Sequence, residues 1–174
     1  NGSVNEKMLG WAQNAASGTG DLIELYCGSG NFTVAFAKKY RRVFATEVVK
    51  EAIDAAKTNK ELNGLENLYL GRISAEEATQ ALGGEREFNR LSGINLQDFD
   101  FHTIFVDPPR SGLGQKGREF AAGYDEIIYI SCNPVTLKED LESLTKTHKI
   151  EKFAVFDQFG YTNHLECGVK LNRL

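Results

Sequence analysis

The sequence carries a cysteine in a position suited to nucleophilic chemistry. Cys132 follows an apolar run, residues 126–131, and stands just before Asn133 and Pro134. Proline is favoured in the first turn of a helix, so the thiol is predicted to lie between a strand end and a helix N-terminus. The helix dipole is expected to lower the pKa of this thiol, and its thiolate could add to an electrophilic carbon. The alternative is a cysteine that is simply buried.

A carboxylate near the end of the chain could supply a matching base. Glu166 lies in a segment, residues 156–168, where aromatic and polar side chains alternate as they do around a stacked nucleobase. A carboxylate in partly apolar surroundings can be poised to remove a proton. His164 is a rival base, although a surface or packing role suits it better. Cys27 and Cys167 are interpreted as small packing residues.

A glycine-rich turn followed by an acidic residue indicates a nucleoside site. Residues 24–32 read ELYCGSGNF, and glycines such as Gly28 allow a tight turn close to a ligand. Glu47 ends the next apolar run about 20 residues later, where it could accept hydrogen bonds from a ribose diol. A tight structural turn with Glu47 as a helix cap would explain the same residues. The third glycine of a dinucleotide-binding turn is missing, and the E-x-x-x-G-x-G form resembles that of S-adenosylmethionine-dependent methyltransferases.

Two consecutive prolines separate Asp107 from Arg110. They fix the backbone and are expected to expose both flanking residues at the edge of a sheet. The sequence resembles the D/N-P-P-x motif of methyltransferases that act on planar nitrogens, which usually have an aromatic fourth residue. Arg110 in that position instead fits contact with a phosphate or a base. A rigid turn with a surface arginine is the alternative.

The pattern of apolar runs predicts the elements that position these residues. Strands are expected at 21–26, 42–46, 67–70, 102–106, 126–131, 149–156 and 165–171, and helices at 31–39, 48–63, 75–82, 115–124 and 134–147. Residues 83–97 are expected to form an insertion or surface loop. This alternation predicts an α/β fold, a mostly parallel seven-stranded sheet with helices on both faces. Ligands bind at the carboxyl ends of such strands.

Composition limits the class of protein. The 174 residues suit one domain, 1–174, and the net charge of −4 counts against an autonomous nucleic-acid binder. Three cysteines without a CxxC pair predict neither a disulfide framework nor a metal site, and favour the reducing cytoplasm. No apolar run has the length of a membrane helix, and no signal peptide is evident. Because the first residue is asparagine, an N-terminal RNA-binding part is expected to be absent from this chain.

The ordered stretches ELYCGSGNF, ATEV, FVDPPRSGL, YISCNP and HLECGV resemble the tRNA (uracil-5-)-methyltransferase family over nearly the whole chain. The resemblance implies a Rossmann-like catalytic domain that uses S-adenosyl-L-methionine. The residues implied in cofactor binding are Tyr26, Gly28, Asn31, Glu47 and Asp107. Cys132 would add to C6 of a uracil and Glu166 would remove the C5 proton, while Arg110 would contact RNA.

The same resemblance implies the substrate and leaves alternatives open. The expected target is the T-loop uridine, position 54, of tRNA, with other RNAs that carry a T-loop-like hairpin as further partners, and the enzyme is expected to be a monomer. One alternative is 23S ribosomal RNA. Another is RNA cytosine-C5 methylation, but those enzymes carry a cysteine where this chain has Pro109 and Arg110. The third is a non-catalytic RNA-folding module, a tRNA chaperone, which the pair Cys132 and Glu166 argues against.

Overall fold

The structure is a computed structural model that describes residues 2–157 and 165–174. The chain divides into two compact units. The amino-terminal unit is Gly18–His102, and the carboxyl-terminal unit combines Thr103–Leu174 with Asn1–Ser17. The first helix, α1 (Gly2–Ala15), thus belongs with the end of the chain. No helix within the described residues combines the length and the apolar character that crossing a membrane requires.

Three parallel strands form the centre of the amino-terminal unit. They are β1 (Asp21–Leu25), β2 (Val43–Thr46) and β3 (Leu68–Gly71). β2 lies between the other two, with Val43 opposite Leu22 on one side and Leu68 on the other. Every residue of β1 and β2 is buried, which is typical of parallel strands that are covered on both faces.

This unit has three helices, of which the first two connect the strands and the third follows β3. They are α2 (Asn31–Ala37), α3 (Lys50–Leu62) and α4 (Ala75–Leu82). Beyond α3, Gly64 has a φ of 61° and Leu65 N donates to Lys60 O, so this helix ends in a glycine cap. α4 begins with a capping box in which Ser74 and Glu77 bind each other's backbone N–H groups.

The segment at residues 83–97 is more firmly attached than a surface loop. Most of its side chains are exposed, but Phe88 and Leu91 are buried. A Cβ on Gly71 of β3 would lie only 2.7 Å from Leu91 Cδ2. Two short 3-10 turns, Asn89–Leu91 and Leu96–Asp98, order the chain around these apolar residues. The predicted insertion is therefore packed on β3 through Leu91.

The carboxyl-terminal unit holds the remaining strands and helices. They are β4 (Phe101–Val106), which enters this unit at Thr103, then α5 (Gly114–Ala121), β5 (Glu126–Ser131), α6 (Pro134–Leu144), β6 (His148–Phe156) and β7 (Glu166–Arg173). β4 and β5 are parallel, whereas β7 runs antiparallel to both β5 and β6. α1 packs on this hairpin, since Trp11 lies edge-on to Phe156 at 6.0 Å.

The strand orders are β3-β2-β1 in the amino-terminal unit and β4-β5-β7-β6 in the carboxyl-terminal unit. The expected fold class, α/β with seven mostly parallel strands, is confirmed. Element ends differ from the predicted ones by a few residues. The helix expected to reach residue 147 ends at Leu144, for example, because Lys146 N and Thr147 N already make turn-type hydrogen bonds.

Candidate active site

The turn after β1 has an unusual backbone. Tyr26, the first residue past the strand, has a φ of 61°, a conformation that side-chain-bearing residues seldom adopt outside functional sites. A Cβ on Gly30 would lie 3.3 Å from Ala56 Cβ of α3, whereas a Cβ on Gly28 would meet no atom within 4 Å. The turn is therefore tightly packed at Gly30 and open at Gly28, as a cradle for a ligand requires.

Glu47 ties this turn to the segment that leads into α3. Its Oε2 accepts from Gly28 N at 3.0 Å, and its Oε1 accepts from Val48 N at 2.8 Å and Val49 N at 2.9 Å. The capping role that the sequence left open is thus present. A carboxylate oxygen has two acceptor sites, so Oε2 keeps capacity for a donor such as a ribose hydroxyl.

The other residues predicted in this turn differ in accessibility. Tyr26 is half-buried, and Asn31, the first residue of α2, is exposed. Cys27 is buried, and burial together with the charges of Glu24 and Glu47 raises the pKa of its thiol far above the ordinary value. A neutral, buried thiol agrees with the packing role predicted for Cys27.

In the carboxyl-terminal unit, Asp107 follows the last residue of β4. Burial, with the charge of Glu166 as a second cause, raises its pKa to about 7. The sequence predicts that both residues flanking the two prolines are exposed. This is confirmed for Arg110 but wrong for Asp107, which is half-buried because the buried Pro108 keeps the backbone close to the core.

Cys132 lies between the end of β5 and the start of α6, as predicted. Its thiol is half-buried, and Asn133 caps the helix by accepting from Val135 N at 3.1 Å. The expected lowering of the Cys132 pKa is wrong, since the pKa is raised. Burial is the largest cause, and the negative charges of Glu166 and Asp107 add to it, while Arg110 acts in the opposite direction. Burial, with the two carboxylates as further causes, therefore outweighs the opposing charge of Arg110.

The antiparallel pairing of β5 and β7 explains how Cys132 and Glu166 come together. Ser131 at the end of β5 lies opposite Cys167 in β7. Continued by one residue, this register brings Cys132 to the level of Glu166, the first residue of β7. Burial also raises the pKa of Glu166, which suits a carboxylate that must accept a proton near neutral pH.

Arg110 supplies positive charge to this cluster of acids. Its side chain is exposed, and its charge lowers the pKa of Cys132. Its carbonyl oxygen accepts from Asn133 Nδ2 at 2.9 Å and from Thr136 Oγ1 at 3.1 Å. The backbone of Arg110 is thus bound to the start of α6, the helix that directly follows Cys132.

Some predicted features fall outside the described residues, and others were missed. His164 and the aromatic loop beyond Asp157 belong to the first group, so the rival base stays a prediction. Asn133, Thr136 and Asp140, which bind the segment after Asp107, belong to the second group. Their spacing of three and four residues along α6 is the signal that could have revealed a shared helix face.

The raised pKa of Asp107 leads to a prediction about stability. The pKa is about 7 in the folded protein against an ordinary value of 3.8. At a pH between these two values, the folded state therefore binds this proton more tightly than the unfolded state does. This group's contribution to the free energy of unfolding should therefore fall as pH rises from about 4 to about 7. Asp107→Asn should remove that slope and stabilise the full-length protein at about pH 8 by on the order of 1 kcal/mol, after allowance for solvent screening.

Denaturant unfolding at about pH 5 and about pH 8 measures this effect. The matched control is Asp157→Asn, which removes an exposed carboxylate and should stabilise the protein less than Asp107→Asn does at about pH 8. Identical pH dependence in the wild type and in Asp107→Asn would contradict the assignment of a raised pKa to Asp107.

Comparison with known proteins assigns the chain to a family. The sequence model of the tRNA (Uracil-5-)-methyltransferase family matches residues 1–174. The chain belongs to this family. The tRNA/tmRNA (uracil-C(5))-methyltransferase of Photorhabdus laumondii is 57% identical in a match 175 residues long that covers 100% of this chain and 48% of that protein. The protein of the same name from Proteus mirabilis is 56% identical over 174 residues, 99% of this chain and 48% of that protein.

Solved structures extend the comparison from sequence to fold. The tRNA (uracil-54, C5)-methyltransferase of Pyrococcus abyssi, solved with S-adenosyl-L-homocysteine, is 26% identical with a TM-score of 0.70 and covers 96% of this chain and 38% of that chain. An rRNA methylase from Streptococcus thermophilus, 14% identical with a TM-score of 0.65, covers 97% of this chain and 95% of that chain and shares the fold. The expected Rossmann-like methyltransferase fold is confirmed. This family member spans about half the length of the curated relatives it matches.

Proposed function

We propose that this chain is the catalytic part of an enzyme that transfers a methyl group from S-adenosyl-L-methionine to C5 of a uridine in RNA. The proposed target is the T-loop uridine, position 54, of tRNA, together with RNAs that carry a similar hairpin. The observation that carries the proposal is the meeting of Cys132 and Glu166 at the adjoining ends of β5 and β7. The names of the relatives, which include tRNA, tmRNA and uracil-54, support the choice of RNA.

The turn after β1 fits a nucleoside-containing methyl donor. Gly28 faces open space, and Glu47 Oε2 keeps an acceptor site for a ribose hydroxyl. The residues proposed to hold the donor are Tyr26, Gly28, Asn31, Glu47 and Asp107. When bound, S-adenosylmethionine supplies an electrophilic methyl group. The Pyrococcus abyssi structure, solved with the demethylated form of this molecule, supports the assignment.

Replacing Glu47 by alanine should weaken binding of S-adenosylmethionine. A hydrogen bond to a charged group contributes roughly 1.5–3 kcal/mol, so the dissociation constant should rise by about 10- to 100-fold. Isothermal titration calorimetry of the full-length protein measures this dissociation constant. Glu51→Ala, an exposed acidic residue in the first turn of α3, is the matched control and should bind as the wild type does. Unchanged affinity in Glu47→Ala would remove this residue from the proposed site.

The proposed chemistry begins with Cys132. C5 of uracil is a weak nucleophile, so a direct attack on a methyl group is slow. Because the pKa of Cys132 is raised, the thiol must first give its proton to water. Addition of the resulting thiolate to C6 forms an S–C6 bond and moves the C5–C6 electron pair toward the O4 carbonyl, giving an enolate whose C5 is nucleophilic. The base must leave its stack for Sγ to reach C6.

Glu166 completes the reaction after C5 has bonded to the methyl carbon, whose bond to the donor sulfur breaks so that S-adenosylhomocysteine leaves. Its carboxylate takes the proton from C5, the electron pair reforms the C5–C6 double bond, and the S–C6 bond breaks to release Cys132 as a thiolate. The raised pKa of Glu166 makes it a stronger base than an exposed glutamate. Arg110 opposes the accumulation of negative charge around Cys132, because it is the cation that lowers the pKa of that thiol.

Analysis of the product tests the proposal. The full-length protein is incubated with labelled S-adenosylmethionine and either tRNA or ribosomal RNA, and the nucleosides are separated. The expected product is 5-methyluridine from tRNA, lost when uridine 54 is replaced. 5-Methylcytidine, or methylation of ribosomal RNA alone, would overturn the substrate assignment, and no methylation at all would favour a non-catalytic RNA-folding role. The expected monomer and cytoplasmic location stay predictions.

A further inference from the structure

One face of α6 binds the loop that follows the two prolines. Asn133, which caps the helix, donates through Nδ2 to the Arg110 carbonyl at 2.9 Å. Thr136 Oγ1 donates to the same carbonyl at 3.1 Å. Asp140, one turn further along, accepts from Leu113 N at 2.9 Å. These three residues, here called the loop clamp, lie on one side of the helix and hold both ends of residues 110–113.

Asp140 is the most constrained member of the loop clamp. It is 2% exposed, and a buried carboxylate is costly unless it is fully hydrogen-bonded. Oδ2 accepts from Leu113 N and from Tyr129 Oη at 2.6 Å, and Oδ1 accepts from Arg118 at 3.0 Å. The carboxylate therefore joins β5, α5, α6 and the loop at one point.

Gly112 shows how closely the loop approaches the helix. It has a φ of 75°, which favours glycine, and a Cβ there would lie 2.7 Å from Asp140 Oδ2 and 3.2 Å from Thr136 Cβ. No side chain fits between the loop and α6. The loop backbone therefore lies directly on the side chains that hold it.

We propose that Asp140 is a positioning residue for the reaction, which acts by fixing the 110–113 loop on α6 so that Arg110 stays at the start of the helix that directly follows Cys132. Asp140 touches no reacting atom. Cys132 stands immediately before the helix, and the backbone of Arg110 is bound to its first turn. The position of α6 therefore determines the positions of both residues. The inference rests on the proposed function for its catalytic meaning, but not for its geometry.

The reactivity of the Cys132 thiol tests the loop clamp without RNA. Alkylation of the full-length protein by iodoacetamide, followed across pH by peptide mass spectrometry, gives the apparent pKa of Cys132. Released from the clamp, Arg110 should no longer stabilise the thiolate, so Asp140→Ala should raise this pKa by roughly half a unit or more. Loss of the Asp140 charge alone would act in the opposite direction and lower it. The sign of the shift thus separates positioning from a direct charge effect.

Glu126 provides a matched control. It is also 2% exposed and accepts hydrogen bonds from Ser17 and Thr103 while pairing with Lys170 at 3.0 Å, but it is the first residue of β5, at the opposite end of the strand from Cys132. Glu126→Gln should lower thermal stability and leave the Cys132 pKa unchanged. Thr136→Val, a nearly isosteric change, tests the clamp if Asp140→Ala does not fold, and should also raise the pKa.

Single-turnover methylation of tRNA then connects the clamp to catalysis. Asp140→Ala should slow methylation by roughly 10- to 100-fold at saturating S-adenosylmethionine, since small displacements of a reacting group have effects of this size. A fall or no change in the Cys132 pKa in both clamp variants, or an equal rise in Glu126→Gln, would overturn the proposal. If the wild type methylates no RNA, the alkylation result still decides whether the clamp positions Arg110.

Discussion

Replacing Cys132 by alanine is expected to lower the rate of RNA methylation by roughly four orders of magnitude or more. Without the thiolate, the C5–C6 double bond of uracil stays intact and C5 stays a weak nucleophile. The substitution leaves the turn after β1 untouched, so the affinity for S-adenosylmethionine should stay within about twofold of the wild type. Methyl transfer from labelled donor to tRNA, with calorimetry of donor binding, measures both quantities.

The matched control for this prediction is Cys167→Ala. Cys167 is a buried thiol in β7, opposite the last residue of β5, and takes no part in the proposed reaction. That variant should methylate tRNA at nearly the wild-type rate. Methylation by Cys132→Ala at a comparable rate would show that the reaction proceeds without covalent attack by this residue.

Replacing Glu166 by glutamine is expected to block a later step. Cys132 can still add to C6 and C5 can still receive the methyl group, but the C5 proton then has no base to accept it. The overall rate should fall by about 100- to 10,000-fold, the usual contribution of a general base. A methylated covalent complex should accumulate on ordinary tRNA, visible as a slow-migrating labelled band on a denaturing gel.

Asp157→Asn controls for the loss of a carboxylate near this end of β6 and β7. Asp157 is exposed and follows Phe156, which pairs with Glu166. The Asp157→Asn variant should methylate tRNA at the normal rate, and no stable covalent complex with tRNA should accumulate. If Glu166→Gln also turned over normally, another group would have to remove the proton, and His164 would become the first candidate to replace.

The fold could be predicted from the sequence because each element has a local signal. Buried parallel strands are continuous apolar runs, and helix ends such as Gly64 and the capping box at Ser74 are encoded within a few residues. The attachment of residues 83–97 could not be predicted in this way. The contact of Leu91 with Gly71 joins positions distant in sequence, and a single leucine in a polar segment does not indicate its partner.

The candidate site likewise has features that the sequence predicts and features that it does not. The identities of Cys132 and Glu166 follow from their contexts, but their approach depends on the register of β7 against β5, a long-range pairing. The pKa of Cys132 was predicted in the wrong direction because only the adjacent helix N-terminus is visible locally. The charges of Asp107 and Glu166 also raise this pKa, and they act on the thiol only because the fold brings residues distant in sequence together. Asp140 was missed since an aspartate inside a helix usually faces solvent, whereas here it is buried.

The most direct test of the central claim is to trap Cys132 on RNA. The full-length protein is incubated with S-adenosylmethionine and tRNA that contains 5-fluorouridine at position 54, and the covalent product is digested and mapped by mass spectrometry. Fluorine replaces the C5 proton that Glu166 must remove, so elimination cannot follow methyl transfer and the complex should persist. We expect one stable adduct, through the peptide that contains Cys132, which carries the transferred methyl group and is absent from Cys132→Ala. A methylated product with no adduct, or an adduct through Cys27 or Cys167, would contradict the mechanism.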